Sequence, residues 1–223
     1  MADDPASYPV NIDLETDLGV RNRLTVGFRP ILAVPHMFLS GFVGSTGNVG
    51  ASFGRGDGDW VDFVFSFLYA GVLGVAAGFC AFLSWFAILF TGSQPQGLWD
   101  FEVFVLRWQV RTSAYVTLFR DEYPPFGDGE YPASLRISMP EGPRDRLSVG
   151  LRLIYAIPHL IIVFILGIAW FVTTVIAWFA ILFTGTFPAG LADFGKGVFR
   201  WSTRVGAYMF LLRDEYPPFS LNA

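Results

Sequence analysis

One passage is written twice in this chain, and it limits the possible folds more than any other feature. Arg107-Trp108-Gln109-Val110-Arg111-Thr112-Ser113-Ala114-Tyr115 leads to Arg120-Asp121-Glu122-Tyr123-Pro124-Pro125-Phe126. Arg200-Trp201-Ser202-Thr203-Arg204-Val205-Gly206-Ala207-Tyr208 leads in the same way to Arg213-Asp214-Glu215-Tyr216-Pro217-Pro218-Phe219. Repetition on this scale means one supersecondary unit built twice, so each half has to be read with the other. The match extends upstream at a separation of 123 residues, pairing Tyr8-Pro9 with Tyr131-Pro132, Arg21 with Arg144, Arg29 with Arg152, and Pro35-His36 with Pro158-His159. Beyond the histidines the separation falls to 93, where Trp85-Phe86-Ala87-Ile88-Leu89-Phe90-Thr91-Gly92 matches the segment from Trp178 to Gly185. Copy one therefore holds 30 extra residues between its histidine and its tryptophan. The copies run over 8–126, with an insertion near 45–75, and over 131–219; tails at 1–7 and 220–223 and a linker at 127–130 complete the chain.

Composition identifies the solvent. Hydrophobic residues make up 53% of the 223 and charged residues only 15%, far from the balance of a soluble domain. Val61 to Phe90 is an apolar run of 30 residues and Leu153 to Phe183 one of 31. A membrane span needs about 20. The start, Met-Ala-Asp-Asp-Pro-Ala-Ser, has neither the positive charge nor the apolar stretch of a secretory signal, so a cytoplasmic N-terminus is expected. The one cysteine, Cys80, lies in an apolar run and reads as packing. A net charge of -4 argues against nucleic acid as a partner. Of the 15 basic residues all but Lys196 are arginine, clustered at 21–29, 107–120, 136–152 and 196–213, with Arg55 apart.

The expected fold is mainly α and integral to the membrane. Each repeat is an apolar helical hairpin followed by an interfacial amphipathic helix, with a short β segment at its start. Val10, Ile12 and Leu14 alternate with polar residues, as do Leu135, Ile137 and Met139, and the two openings could pair into a small sheet. In copy one, residues 30–47 and Val61 to Phe90 are the helices of the hairpin, joined by a turn at Gly54-Arg55-Gly56-Asp57-Gly58-Asp59. The positive-inside rule places the basic flanks, and with them both termini, in the cytoplasm. Copy two has only about 31 residues for the same block. Since the flanks match, a shallow or re-entrant hairpin turning near Gly167, or two short spans, is expected, and a single tilted helix is the rival. Thr-Gly at 91–92 and 184–185 suits a helix C-cap, and Asp100 and Asp193 could cap the helix that follows.

That following helix carries the candidate contact residues: Arg107, Trp108, Arg111 and Tyr115 in copy one, and Lys196, Arg200, Trp201, Arg204 and Tyr208 in copy two. Helical spacing puts the cations on one face, where guanidinium groups could meet lipid phosphate, a partner subunit or internal carboxylates. Arg120, Asp121 and Glu122, with Arg213, Asp214 and Glu215, read as structural clasps rather than acid and base pairs, because adjacent carboxylates diverge and each pair follows an arginine. His36 and His159 could ligate haem, a chlorophyll-type pigment or a metal. Duplication alone explains their pairing, however, and neither has a carboxylate or cysteine nearby in sequence, so no cofactor and no metal is expected. No nucleophile, zinc or dinucleotide motif is visible, and the apolar runs lack the acidic residues that ion pathways use.

Arg-Asn-Arg-Leu-Thr-Val, Ile-Pro-His, Trp-Phe-Ala-Ile-Leu-Phe-Thr-Gly, Arg-Trp and Asp-Glu-Tyr-Pro-Pro-Phe together resemble the bacterial membrane-protein family of domain of unknown function 4389, over residues 8–219. Copy one departs by its insertion and by Val34 in place of Ile157. The resemblance implies a bacterial plasma-membrane protein and supplies no activity. The expected function is therefore that of a non-enzymatic accessory or scaffold subunit whose partners are membrane lipids and other membrane subunits. Lipid binding through the arginines is the alternative, and pigment or haem binding through the histidines a third.

Overall fold

The computed structural model describes residues 8–43 and 70–222. Within them the chain forms β1 (Val10–Leu14), α1 (Arg23–Leu32), α2 (Val34–Ser40), α3 (Val72–Thr91), α4 (Gln96–Val116), β2 (Ala133–Ile137), α5 (Arg146–Gly150), α6 (Arg152–Thr184) and α7 (Ala189–Met209). Helix ends follow local chemistry at matched positions. Asn22 and Asp145 each accept backbone N–H groups of the first turn, from Leu24 and Thr25 and from Leu147 and Ser148. Gly92 and Gly185 close α3 and α6 at φ 79° and 78°, a left-handed conformation that glycine adopts without a Cβ clash. Pro95 and Pro188 hold the N-cap positions of the next helices, which therefore begin before Asp100 and Asp193, and those aspartates are not caps.

The two openings pair as expected, and their register reveals the symmetry. β1 and β2 are antiparallel with Val10 opposite Ile137, Ile12 opposite Leu135 and Leu14 opposite Ala133. Ile12 thus faces its own equivalent in the other copy, so an approximate two-fold axis passes through that pair. Contacts on either side obey it. Trp85 Nε1 donates to the Val149 carbonyl at 3.0 Å and Trp178 Nε1 to that of Val26 at 2.8 Å. The Arg144 N–H reaches the Gly92 carbonyl and the Arg21 N–H that of Gly185. The opening of each copy therefore packs on the far end of the other copy's long helix. The two long helices run in opposite senses.

The helical hairpin expected in copy two is not formed. Arg152–Thr184 is one helix of 33 residues, because Gly167 costs a helix only about 1 kcal/mol and nothing else near it interrupts the hydrogen-bond ladder. Copy one also does not place a helix over 30–47. There α2 stops at Ser40, Gly41 takes φ 68°, and the chain re-enters at Gly71, φ 72°. A Cβ on Gly71 would lie 2.3 Å from the Gly41 nitrogen and 2.5 Å from the Ser40 carbonyl carbon, so the end of α2 abuts the start of α3. Ser40 and Gly71 correspond to Val163 and Phe164, which are neighbours inside α6. The pair α2 and α3 is thus the interrupted counterpart of α6, and the 30 extra residues leave and return at one point. The turn expected at 54–59, and residues 61–69 of the expected second helix, lie outside the described residues.

α4 and α7 fold back along the long helices and bury most of their surface. On the other side α4 packs on β2 and α7 on β1. Inward faces of both strands join Leu106, Leu118, Phe119, Phe199, Phe210 and Leu212 in one core. Each such side chain contributes about 1.5–3 kcal/mol by leaving water.

Candidate functional site

At the end of α4 the helix closes on Leu118 at φ 70°, and at the end of α7 on Leu211 at φ 61°. A non-glycine residue in this region costs on the order of 1–3 kcal/mol, so each turn needs support from outside. It comes from the arginines at the start of the same copy. Arg21 donates to the Leu118 carbonyl at 3.0 Å and to Asp121, and Arg144 to the Leu211 carbonyl at 2.8 Å and to Asp214. Arg29, 1% exposed, adds bonds to the Tyr115 and Arg120 carbonyls and to Asp121, with its guanidinium 4.6 Å from the Tyr115 ring centre. Arg152 does the same with the carbonyls of Tyr208 and Arg213, with Asp214 and with the Tyr208 ring. Arg120 forks onto Glu122 and Arg213 onto Glu215. Removing one member of a buried ion pair costs about 3–5 kcal/mol, and this geometry is that of a fastening. Burial alone would raise the Asp214 pKa, but Arg144 and Arg152 outweigh it and the net direction is down.

Sequence reasoning grouped the six tail residues and missed Arg21, Arg29, Arg144 and Arg152 as their partners. The available signal was that these arginines repeat as faithfully as the aspartates they hold.

The nine candidate contact residues separate by exposure. Trp108, Arg111, Tyr115, Trp201, Arg204 and Tyr208 are buried, and Arg107, Lys196 and Arg200 are half-buried. The aromatic members therefore face the protein interior rather than a headgroup layer. Arg107 donates to the Leu135 carbonyl at 3.3 Å, Arg111 to Asp128 at 3.1 Å, and Lys196 pairs with Asp193. Trp108 Nε1 donates to His36 Nδ1 at 3.0 Å and Trp201 Nε1 to His159 Nδ1 at 3.1 Å. Each imidazole stacks on the phenylalanine that ends its tail, 4.2 Å from Phe126 and 4.0 Å from Phe219. An Nδ1 that accepts leaves the proton on Nε2, so this tautomer offers no free lone pair to a metal. No group of three or more His, Cys, Asp or Glu converges among the described residues.

A second cluster breaks the symmetry. Glu102, fully buried on α4, accepts from Ser84 Oγ at 3.0 Å and from Gln94 Nε2 at 2.9 Å, and Gln94 Oε1 accepts from Arg144 at 3.0 Å. Burial pushes the Glu102 pKa up to about 8 against the pull of Ser84, Gln94 and Arg144. The equivalents of Ser84, Gln94 and Glu102 are Ala177, Phe187 and Gly195, and the Trp170 indole fills the space that Glu102 would need. Gln109, Thr112 and Ser113, which bind the Ser40 carbonyl, the Ser40 hydroxyl and the Val43 N–H, likewise correspond to Ser202, Val205 and Gly206 in copy two. Copy one is polar where its long helix is interrupted. Copy two is apolar where the helix runs through.

The arrangement defines a duplicated, mainly helical protein with two helices long and apolar enough to cross a membrane, Val72–Thr91 and Arg152–Thr184, and a two-stranded sheet at its symmetry axis. A family model described as domain of unknown function (DUF4389) matches residues 60–127 and 146–220, and the chain belongs to that family in two tandem copies. The matches take in α3 and α6, the helices α4 and α7 that return along them and the tails with Asp121 and Asp214, and they omit the opening strands together with Arg21, Arg29 and Arg144. Comparison with curated proteins gives no match, and comparison with solved structures gives none either.

Proposed function

We propose that this protein is a non-enzymatic accessory or scaffold subunit of a bacterial plasma-membrane assembly, held with its two long helices lying along the membrane interface. The carrying observation is the uncovered apolar stripe of α6. Only 6% of its most apolar window is buried inside the protein, unlike a soluble core helix, and Leu153, Ile157, Phe164, Ile168, Phe171 and Phe183 all lie on the open side. From Leu153 to Phe183 the stripe is about 46 Å long at 1.5 Å per residue, against a hydrocarbon core of roughly 30 Å. The sheet argues the same way. Because the symmetry axis runs through it, an upright molecule would carry Asp13 and Arg136, with side chains 61% and 78% exposed, to the bilayer midplane. A charge there costs about 2.5–3.5 kcal/mol or more. A flat molecule keeps the sheet in water, with α4 and α7 between it and the apolar stripes. The clasps then hold a rigid platform, and its watery face is free for partner subunits.

Retention in membranes after an alkaline carbonate wash is expected. With Cys80 replaced by serine, Ser93→Cys and Thr186→Cys, exposed at opposite ends of the molecule, should each react with an impermeant reagent from the same side. Labelling from opposite sides would reject the flat orientation. A pure monomer with no associated protein across several mild detergents would reject the accessory role.

A further inference from the structure

Arg204 and Arg111 are equivalent residues with different fates. In copy one Arg111 donates to the Gly127 carbonyl at 2.5 Å and to Asp128 at 3.1 Å. The position equivalent to Asp128 is Leu221, whose side chain lies against Gly197. Arg204 is 6% exposed, and its Nε and Nη1 are buried with no hydrogen-bond partner among the described residues. The Tyr8 ring centre lies 5.6 Å from its guanidinium carbon. A buried guanidinium with donors unmet is costly, so a site built this way is incomplete without an acceptor.

The space for one is present. Arg204 lines a cleft of about 330 Å³ together with Asn11, Ile12, Asp13, Arg136 and Arg200. Three guanidinium groups face one carboxylate, and that carboxylate, Asp13, is already within 3.9 Å of Arg136. Burial and the neighbouring Arg200 lower the Arg204 pKa against an opposing pull from Tyr8, the pattern of a cation short of counter-charge. Arginine forks match the paired oxygens of a tetrahedral oxyanion, and the Asn11 amide can donate as well. In copy one the same place is occupied by protein groups: Arg107 is bound to the Leu135 carbonyl and Arg111 to Asp128.

We infer that the cleft between β1 and α7 is a binding site for a phosphate-type oxyanion, with Arg204 as the buried anchor and Arg200 and Arg136 at the rim. It stands apart from the membrane orientation and does not depend on it. The phosphate could be free or belong to a lipid headgroup, and two probes on the full detergent-solubilised chain separate these sources. Equilibrium dialysis with inorganic phosphate should give saturable binding that Arg204→Gln weakens by about tenfold or more, while Arg111→Gln leaves it unchanged. Asp13→Asn removes the cleft's one carboxylate and should tighten binding, an effect that a merely misfolded variant cannot produce. Native mass spectrometry with added phosphatidic acid is the second probe. Retention of that lipid with the same dependence on Arg204 and Asp13, without binding of inorganic phosphate, assigns the headgroup as the source. If neither probe binds, or if binding is indifferent to both Arg204→Gln and Asp13→Asn, the site is refuted.

Discussion

Glu102 has no counterpart, and its surroundings give it a measurable signature. The unfolded chain ionises this carboxyl near its ordinary 4.5, whereas the folded protein holds the proton up to about 8. Between those values the folded state binds more protons, so the contribution of Glu102 is complete below pH 4.5 and is lost as pH rises through about 8. Glu102→Gln keeps the contacts with Ser84 and Gln94 and removes the titration. The variant is expected to be more stable than the parent by about 1–3 kcal/mol at pH 8 and to flatten that part of a pH series of thermal melts. An equal pH slope in parent and variant would place the loss elsewhere. Legibility at this scale followed repetition. Residues written twice, such as Asp121 with Asp214 or His36 with His159, announced themselves, while Glu102 is written once and sits opposite a glycine. A mismatch inside a good repeat was the only trace, and a mismatch has a chemical meaning only after packing shows that Trp170 fills the matching space.

Among the elements, the contrast between α6 and the α2 and α3 pair is the most informative. Copy lengths showed 30 extra residues. They did not show that the chain returns to the point it left, because Gly41 and Gly71 meet only through backbone conformations at positive φ. The hairpin expected in copy two failed for a related reason: a sequence of apolar residues with one internal glycine fits a bend and a straight helix equally well, and the choice is made by α7 packed along its length. This correspondence predicts the outcome of a deletion. Removing residues 41–70 joins Ser40 to Gly71, equivalents of adjacent residues in α6, and should leave a folded protein with α2 and α3 continuous. Helicity by circular dichroism and a cooperative melt would check it. Collapse of the melt would mean that the excursion, rather than the surrounding helices, holds copy one together.

For the molecule as a whole, the interlocking of copies predicts how its halves behave. β2 in isolation could pair with a second β2 in the register now used with β1, since Ile12 and Leu135 are equivalents on the axis. α5 could pack on a partner's α6 end as α1 does. Residues 131–222 alone are therefore expected to assemble as a two-fold dimer, with size by light scattering as the measurement, and a stable monomer would contradict the symmetry. The same register has a consequence for stoichiometry. Two identical subunits meeting on an axis must present every site twice or not at all, whereas joining them in one chain lets each copy change alone. Because Ile12 and Leu135 are fused into one polypeptide, the described residues place the Glu102 cluster on one side of the axis and the open arginine cleft on the other. Whatever it binds, it can bind one to one.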